Sequence, residues 1–306
     1  MSTRISTLLV AVLGMGSFVF AQQTPTFTEY NYNPFIINPS YAGVQKAGEA
    51  TLSNIGFGNQ SIQGAPQSFA FTYNAPMRNE KVGLGAGVIN DEIGVTSATQ
   101  VFGAYAYRII LNNYTQPYWK VYERSFISFG LNGGVLMYNQ DLLSLGLQDD
   151  PNFQENVSAT LPTLGAGILF GHNNFFVGVS APNLLGDTLA NQDNLNLSQP
   201  IYGYTGYHFV FDRYNPDFIL KPSFLFKYEE GAPFQVDTNL SLSIKSAVEV
   251  GAGFRTSSTL NAFLGCYLFK NFRALYSYTQ GNADSPIGNT HGIILSYRGG
   301  DGFHPR

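Results

Sequence analysis

The chain has 306 residues, yet only 12% of them are charged, against about 25% in an ordinary soluble domain, and 15% are aromatic. The formal net charge of −4, without any basic run, argues against a nucleic-acid partner. The single cysteine, Cys266, excludes an internal disulfide and a CxxC metal site.

The first 21 residues have the pattern of a cleavable secretory signal. Arg4 supplies a positive charge, an apolar stretch follows, and Val19 and Ala21 occupy the −3 and −1 positions before the predicted cleavage site. The residue directly after that site is Gln22 and not a cysteine, which argues against a lipoprotein anchor. The sequence therefore predicts a signal peptide at 1–21 and a mature chain that begins at Gln22 and leaves the cytoplasm.

The segment YNYNPFIINPSYAG, at residues 30–43, has no charged residue and contains two Asn-Pro pairs. Asparagine is a good N-cap and proline is favoured at the first helical position. Asn33-Pro34 and Asn38-Pro39 therefore each predict the start of a short helical turn. The residues from Tyr41 to Gly43 are predicted to end the second turn.

Two compatible roles remain open for the N-terminal segment, which is placed at residues 22–47. It is interpreted either as a docking segment that faces the periplasm or as a short plug packed in the mouth of a barrel. In the second role, the space inside the barrel would be filled by Phe35, Ile36 and Ile37.

After this segment, alternation with period two dominates the sequence. The clearest case is FQVDTNLSLSI at 234–244, with polar residues at every second position. That strand is about eleven residues long, whereas soluble strands usually have about five or six and tilted membrane strands need about 9–11. About fourteen strands are predicted, at roughly 48–58, 66–76, 82–91, 95–110, 125–138, 161–171, 174–183, 201–213, 216–228, 234–244, 247–256, 259–269, 272–281 and 288–297.

These features predict an all-β protein, a transmembrane antiparallel β-barrel at 48–298 with a C-terminal tail at 299–306. An even strand number, short periplasmic turns and long outer loops are typical of bacterial outer-membrane barrels. The long loops are predicted at 139–160 and 184–200, and 112–124 is a long exception on the periplasmic side. A soluble propeller would show a repeat of about 40–50 residues, which is not found, and a secreted sandwich would carry more charge.

Residues that could carry chemistry are sparse. The four histidines, at 172, 208, 291 and 304, are not part of a GxSxG or HExxH motif and are interpreted as structural, with His208 facing the barrel interior. Asp91 and Glu92 are predicted at a solvated hairpin tip, and the glycines of GLGAGV at 83–88 are predicted to leave room inside the barrel. No catalytic residue, cofactor or metal site is therefore predicted.

Four blocks of the sequence resemble the PorP/SprF family of type IX secretion system outer-membrane proteins of the Bacteroidota. In chain order they are YNYNPFIINPSYAG, GAPQSFAF at 64–71, GAGVINDEIG at 85–94 and THGIILSY at 290–297. The resemblance implies a non-enzymatic accessory in the outer membrane that helps export or surface attachment of a large adhesin-like cargo, including gliding adhesins. The implied partners are the cargo's C-terminal region and other type IX components.

The residues proposed to bind a partner are Asn33, Pro34, Asn38, Pro39, Tyr41 and Gly43 of the first block. The barrel is predicted to be a monomer in outer-membrane lipid, and Thr188 in the loop at 184–200 is a candidate O-glycan acceptor. The alternative function is a small porin or a channel for apolar solutes, because inward polar residues fit either interpretation.

Overall fold

The computed structural model describes residues 28–56, 64–77, 80–112, 117, 119–146, 155–185, 199–214, 216–256, 259–281 and 289–303. The predicted signal peptide, the predicted start at Gln22 and the candidate glycan acceptor Thr188 lie outside these residues. They therefore remain predictions.

Within the described residues, fourteen antiparallel strands form one closed barrel, as predicted. Strand β8 is interrupted at His208 and consists of Ile201–Tyr207 and Phe209–Val210. The other strands are β1 (Glu49–Ile55), β2 (Gln67–Pro76), β3 (Val82–Ile93), β4 (Thr96–Ile110), β5 (Phe126–Gln140), β6 (Val157–His172), β7 (Phe175–Ala181), β9 (Phe218–Tyr228), β10 (Gln235–Ile244), β11 (Val248–Arg255), β12 (Thr259–Leu268), β13 (Phe272–Gln280) and β14 (Thr290–Arg298).

The barrel closes where the first strand pairs with the last, with Leu52 of β1 opposite Leu295 of β14. Along β10 the side chains of Asp237, Asn239 and Ser241 are buried in the interior, whereas that of Leu240 is exposed on the outer face. The period-two pattern of 234–244 is thus confirmed. Closure leaves no unpaired edge, which a bilayer-spanning sheet requires because lipid offers no hydrogen bonds.

The two ends of the barrel differ. One end, called the terminus end, carries the residues before β1, the tail after β14 and short turns such as 245–247 and 269–271. The opposite end, called the loop end, carries the long connections 141–156 and 182–200. The long connection between β4 and β5, at 111–125, lies at the terminus end as predicted.

Two details of the sequence prediction are wrong. Asp91 and Glu92 are not at a hairpin tip but belong to β3, where Asp91 lies opposite Ser68 of β2 and Ala98 of β4. Strand β6 begins at Val157, four residues before its predicted start. In both places the strand continues through polar residues: Glu92 of β3 and Ser158 and Thr160 of β6 are exposed.

A substitution on the outer face tests the membrane-facing surface. Leu131 lies in the middle of β5 and is 58% exposed there. Leu131→Arg is expected to destabilise the barrel by about 2–4 kcal/mol, because a charge at mid-bilayer depth loses its hydration. Urea unfolding in lipid vesicles measures this effect. Leu131→Ala is the control, and equal unfolding midpoints of the two variants would contradict a lipid-facing position.

Candidate functional site

The segment before the barrel folds back into the barrel interior. Its described part, residues 28–43, is called the plug and contains three short 3-10 helices, Thr28–Asn31, Pro34–Ile36 and Pro39–Tyr41. Phe35, Ile36 and Ile37 are buried in the main apolar cluster of the molecule. Within the described residues, no helix is long and apolar enough to cross a bilayer.

Both predicted helical turns are present, and each begins at its proline. The Asn38 side chain caps its turn by accepting a hydrogen bond from the Ser40 backbone nitrogen at 2.9 Å. Asn33 makes no cap, since its amide instead donates to the Thr72 hydroxyl of β2 at 2.8 Å. Gly43, with a φ of 63°, lies directly after the last turn, where the left-handed conformation suits glycine.

The barrel wall holds the plug largely through its main chain. The Ser180 hydroxyl of β7 donates to the Ile37 carbonyl at 2.7 Å, and the Ser128 hydroxyl of β5 donates to the Ser40 carbonyl at 2.8 Å. Arg108 donates to the Gly43 carbonyl at 2.5 Å and Arg273 to the Tyr32 carbonyl at 2.8 Å. These bonds fix the path of the plug from one side of the barrel to the other.

Glycines of the wall let the plug approach closely. A Cβ atom added at Gly83 would overlap the Ala42 carbonyl, and one added at Gly130 would overlap the backbone of Pro39 and Ser40. A Cβ atom added at Gly85 would meet the Phe35 ring. The prediction that GLGAGV leaves room inside the barrel is therefore confirmed, and the plug occupies that room.

Between the plug and the terminus end lies a cavity of about 800 Å³, called the vestibule. It reaches the terminus end, because residues of the connections there, such as Glu80 and Ser246, line it. On the loop-end side of the plug, Phe35, Ile36 and Pro39 leave a gap of only about 10 Å³ beside β3, β4 and β5. Plug residues thus line both the vestibule and this small gap.

One wall of the vestibule is aromatic. The Phe176 ring lies 4.9 Å from that of Tyr204, and Tyr122 packs edge-on against Phe126 at 5.4 Å. From the plug, Tyr41 faces Tyr204 at 6.4 Å between ring centroids. Burial raises the pKa of the Tyr41 hydroxyl well above its usual range, and the hydroxyl has no hydrogen-bond partner within the described residues. Tyr41 lines the cavity with other parts of the residue, whereas its neutral hydroxyl is buried.

The opposite wall is charged. Lys221 of β9 pairs with Glu249 of β11 at 3.0 Å, and the carboxylate of Glu249 also accepts a hydrogen bond from the Ser241 hydroxyl at 2.9 Å. Glu49 of β1 accepts from both Arg273 and Arg298. The described residues that line the vestibule include seven cationic side chains and five acidic ones: Lys46, Arg108, Lys120, Arg124, Lys221, Arg273 and Arg298, against Glu49, Glu80, Glu123, Glu249 and Asp301.

The residues predicted to bind a partner lie together in the plug, but the structure buries most of them. Asn38 fits against the wall, where its amide donates to the Ile168 carbonyl at 3.3 Å, and Pro39 is buried beside it. Asn33, Pro34 and Tyr41 also line the vestibule. Only these three predicted residues are thus placed where an incoming molecule could contact them, and partner binding stays a prediction for all six.

Sequence reasoning missed the charged wall. Glu49 and Arg273 are 224 positions apart, and each appears in the sequence as an ordinary charge on an alternating strand. One signal was available. Charges are rare in this chain, so a charged residue on the polar face of a predicted strand indicates a side chain inside the barrel. His208 was predicted to face inward, and it does line the vestibule.

The other chemistry-bearing residues form local contacts. His172 contacts the Ser125 hydroxyl at 2.5 Å, and His291 contacts the Tyr276 hydroxyl at 2.6 Å. In the part of the chain that the structure describes, no group of three or more His, Cys, Asp or Glu residues could hold a metal ion.

A closed antiparallel barrel with an apolar outer face, a polar interior and a plug formed by the preceding chain defines an outer-membrane β-barrel protein. The family model described as "Type IX secretion system membrane protein PorP/SprF" matches residues 19–297. The chain therefore belongs to the PorP/SprF family and is an outer-membrane component of the type IX secretion system.

Similar solved structures have low identity and TM-scores below 0.5. The outer membrane protein Omp33 of Acinetobacter baumannii is 11% identical with a TM-score of 0.48, covering 84% of this chain and 100% of its own. A Rh. blastica porin mutant is 7% identical with a TM-score of 0.37, covering 83% and 99%. Outer membrane phospholipase A of Escherichia coli is 11% identical with a TM-score of 0.37, covering 83% and 93%. No curated protein matches the sequence.

Proposed function

We propose that this protein is a non-enzymatic, monomeric accessory of type IX secretion that engages the C-terminal region of a large adhesin-like cargo. It thereby helps to export the cargo or attach it at the cell surface, including cargo used in gliding. The observation that carries the proposal is the vestibule, a cavity of about 800 Å³ that reaches the terminus end and has the plug as its inner boundary.

The asymmetry of the connections supports a periplasmic position for the terminus end, because outer-membrane barrels keep their short turns on that side. A cargo segment that arrives from the periplasm would meet the vestibule first. The plug residues Asn33, Pro34 and Tyr41 line that cavity and are the part of the predicted docking segment within its reach. The plug would then both close the lumen and present a docking surface.

The alternative function, a small porin or a channel for apolar solutes, rests on the polar inner wall. A water-filled channel needs a continuous lumen. The plug argues against it, because its residues are packed in the barrel interior and the gap beside Phe35 and Pro39 is about 10 Å³, close to the volume that holds one water. The channel would need the plug to leave the barrel.

Removing the side-chain anchors of the plug tests the proposal. Asn33→Ala/Asn38→Ala, with both prolines kept, removes the Asn38 cap and the contacts of Asn33 with Thr72 and of Asn38 with Ile168. A cap is worth about 0.5–2 kcal/mol, whereas barrel stability comes mainly from the closed ladder. We expect normal barrel abundance and a reduced amount of cargo at the cell surface.

The measurement uses the native bacterium with its chromosomal copy replaced by the variant. Surface protease shaving quantifies the proteins that are lost from the surface when the gene is deleted, while solute uptake and barrel abundance are followed in the same strain. Asn90→Ala is the control, since Asn90 lies in β3 outside the plug and contacts Thr99. Normal cargo display with increased uptake would favour the channel, and loss of the barrel would assign the plug to assembly instead.

A further inference from the structure

The vestibule is positively charged in a protein that is negatively charged overall. The whole chain has 16 Lys and Arg against 20 Asp and Glu. The described residues that line the vestibule reverse this balance, with seven cations and five acids. A cavity with low-dielectric walls concentrates the field of such a surplus, so it attracts anionic groups.

Arg273 is a buried part of this surplus. It lies on β13, is 7% exposed, and shares the single carboxylate of Glu49 with Arg298. It also donates to the Ser296 hydroxyl at 3.0 Å and to the plug carbonyl of Tyr32. Its Nε atom has no hydrogen-bond partner within the described residues. One carboxylate thus serves two guanidinium groups, so the two cations exceed their acidic partner by one charge.

Arg108 of β4 is a second buried guanidinium of this kind. It is 8% exposed and donates to two main-chain carbonyls, that of Gly43 at 2.5 Å and that of Glu80 at 3.1 Å. Its Nε atom likewise lacks a partner in the described part of the chain. The Glu80 carboxylate acts on this charge from beyond salt-bridge distance, and carbonyl dipoles satisfy donors without neutralising a charge. A buried charge is costly unless it is closely paired.

We propose that the vestibule is a receptor for a carboxylate-bearing, extended peptide segment, which would pair with Arg108 and Arg273 and place apolar side chains on the aromatic wall. This inference rests on the proposed cargo function and specifies its chemistry. Guanidinium groups match carboxylates in geometry and charge, which makes such bonds stronger than neutral ones. A cavity of about 800 Å³ lies within the usual size of ligand pockets, so it receives a few residues of a chain and not a folded domain.

Peptide binding to the full-length protein in detergent micelles tests the receptor. The probe is a fluorescein-labelled hexapeptide of alternating phenylalanine and aspartate with a free C-terminal carboxylate. The neutral control peptide has asparagine in place of aspartate and an amidated C-terminus. Fluorescence anisotropy gives the two Kd values, with empty micelles subtracted. We expect the acidic peptide to bind at least about tenfold more tightly than the neutral one, and added salt to reduce that difference.

Arg108→Gln and Arg273→Gln are each expected to weaken binding of the acidic peptide by about tenfold or more, and Arg273→Lys by less, because lysine keeps the charge but not the fork of donors. Lys227→Gln is the matched control, since Lys227 is a buried cation near the loop end and pairs with Glu229 at 2.9 Å. Migration on gels before and after heating checks that each variant remains a folded barrel.

Equal binding of the two peptides, or an equal loss in the Lys227→Gln control, would overturn the receptor. Competition of the acidic peptide by inorganic phosphate at similar concentration would also overturn it, because the site would then take any anion. A different result would overturn the proposed cargo function. In that case peptide binding would depend on Arg273, but an Arg273→Gln strain would display cargo normally. A display defect without carboxylate discrimination would overturn only the receptor.

Discussion

Replacing Gly130 by valine is expected to displace the plug from the barrel wall. The first added carbon alone would overlap the Ser40 nitrogen and lie 2.5 Å from the Ser40 Cα atom. Both are backbone atoms, so no side-chain rotation relieves the clash. Overpacking typically costs about 1–3 kcal/mol, and each 1.4 kcal/mol changes an equilibrium about tenfold, so the balance between the seated and released plug shifts by about 5–140-fold.

The same strand supplies a matched control. Gly133 of β5 faces outward, and a Cβ atom added there would lie 3.9 Å from the Thr163 carbonyl oxygen, which is an ordinary contact. Gly130→Val is expected to raise ion conductance across planar lipid bilayers about fivefold or more above Gly133→Val. Equal conductance of the two variants, with both inserted as folded barrels, would show that the contact between Gly130 and Ser40 does not hold the lumen closed.

Removing the Asp237 carboxylate is expected to destabilise the barrel strongly. Asp237 of β10 is 3% exposed and accepts two hydrogen bonds from Arg255 of β11, at 2.8 and 2.6 Å. Asp237→Ala would leave the Arg255 guanidinium buried without its counter-charge. Breaking such a pair from one side costs about 3–5 kcal/mol, because the remaining charge is not solvated.

Urea unfolding in lipid vesicles measures this loss as a shift of the midpoint. The control is Glu123→Ala, which removes one partner of the half-exposed pair between Lys46 and Glu123 at the terminus end. Exposed pairs contribute about 0–1 kcal/mol, so the control should unfold close to wild type. Equal midpoints for wild type, Asp237→Ala and Glu123→Ala would contradict this expectation. They would mean that water reaches Arg255 in Asp237→Ala and replaces the lost carboxylate.

The fold was largely predictable because strand alternation is a local property of the sequence. Alternation with neighbouring residues is enough to predict which face of the strand Leu240 and Ser241 occupy. The two Asn-Pro pairs likewise predict their helical turns from local sequence. The ends of strands were less predictable. Two adjacent acids such as Asp91 and Glu92 predict a turn, but here they continue a paired strand, so polarity does not mark the end of a strand there.

The vestibule could not be predicted, because it depends on contacts between distant strands. Glu49 meets Arg273 only when β1 pairs with β14 and β14 pairs with β13. The path of the plug has the same origin: local preference makes its helical turns, whereas Ser128, Ser180 and Gly130 determine where they lie. A single sequence contains these residues but not the cyclic order that brings them together.

The position of the plug ahead of β1 in the chain has a consequence for biogenesis. Its hydrogen-bond partners are spread from Thr72 on β2 to Arg273 on β13, and the latter is 241 positions from Tyr32. Contacts of such long range form late, after most of the loop-closure entropy has been lost. The plug is therefore translocated before the barrel strands. Its last anchor becomes available only when the final strands arrive. A nascent barrel in which β1 and β14 are not yet paired would hold this segment loosely. Protection of Tyr32 and Asn33 from a periplasmic protease would therefore indicate that β1 and β14 have paired.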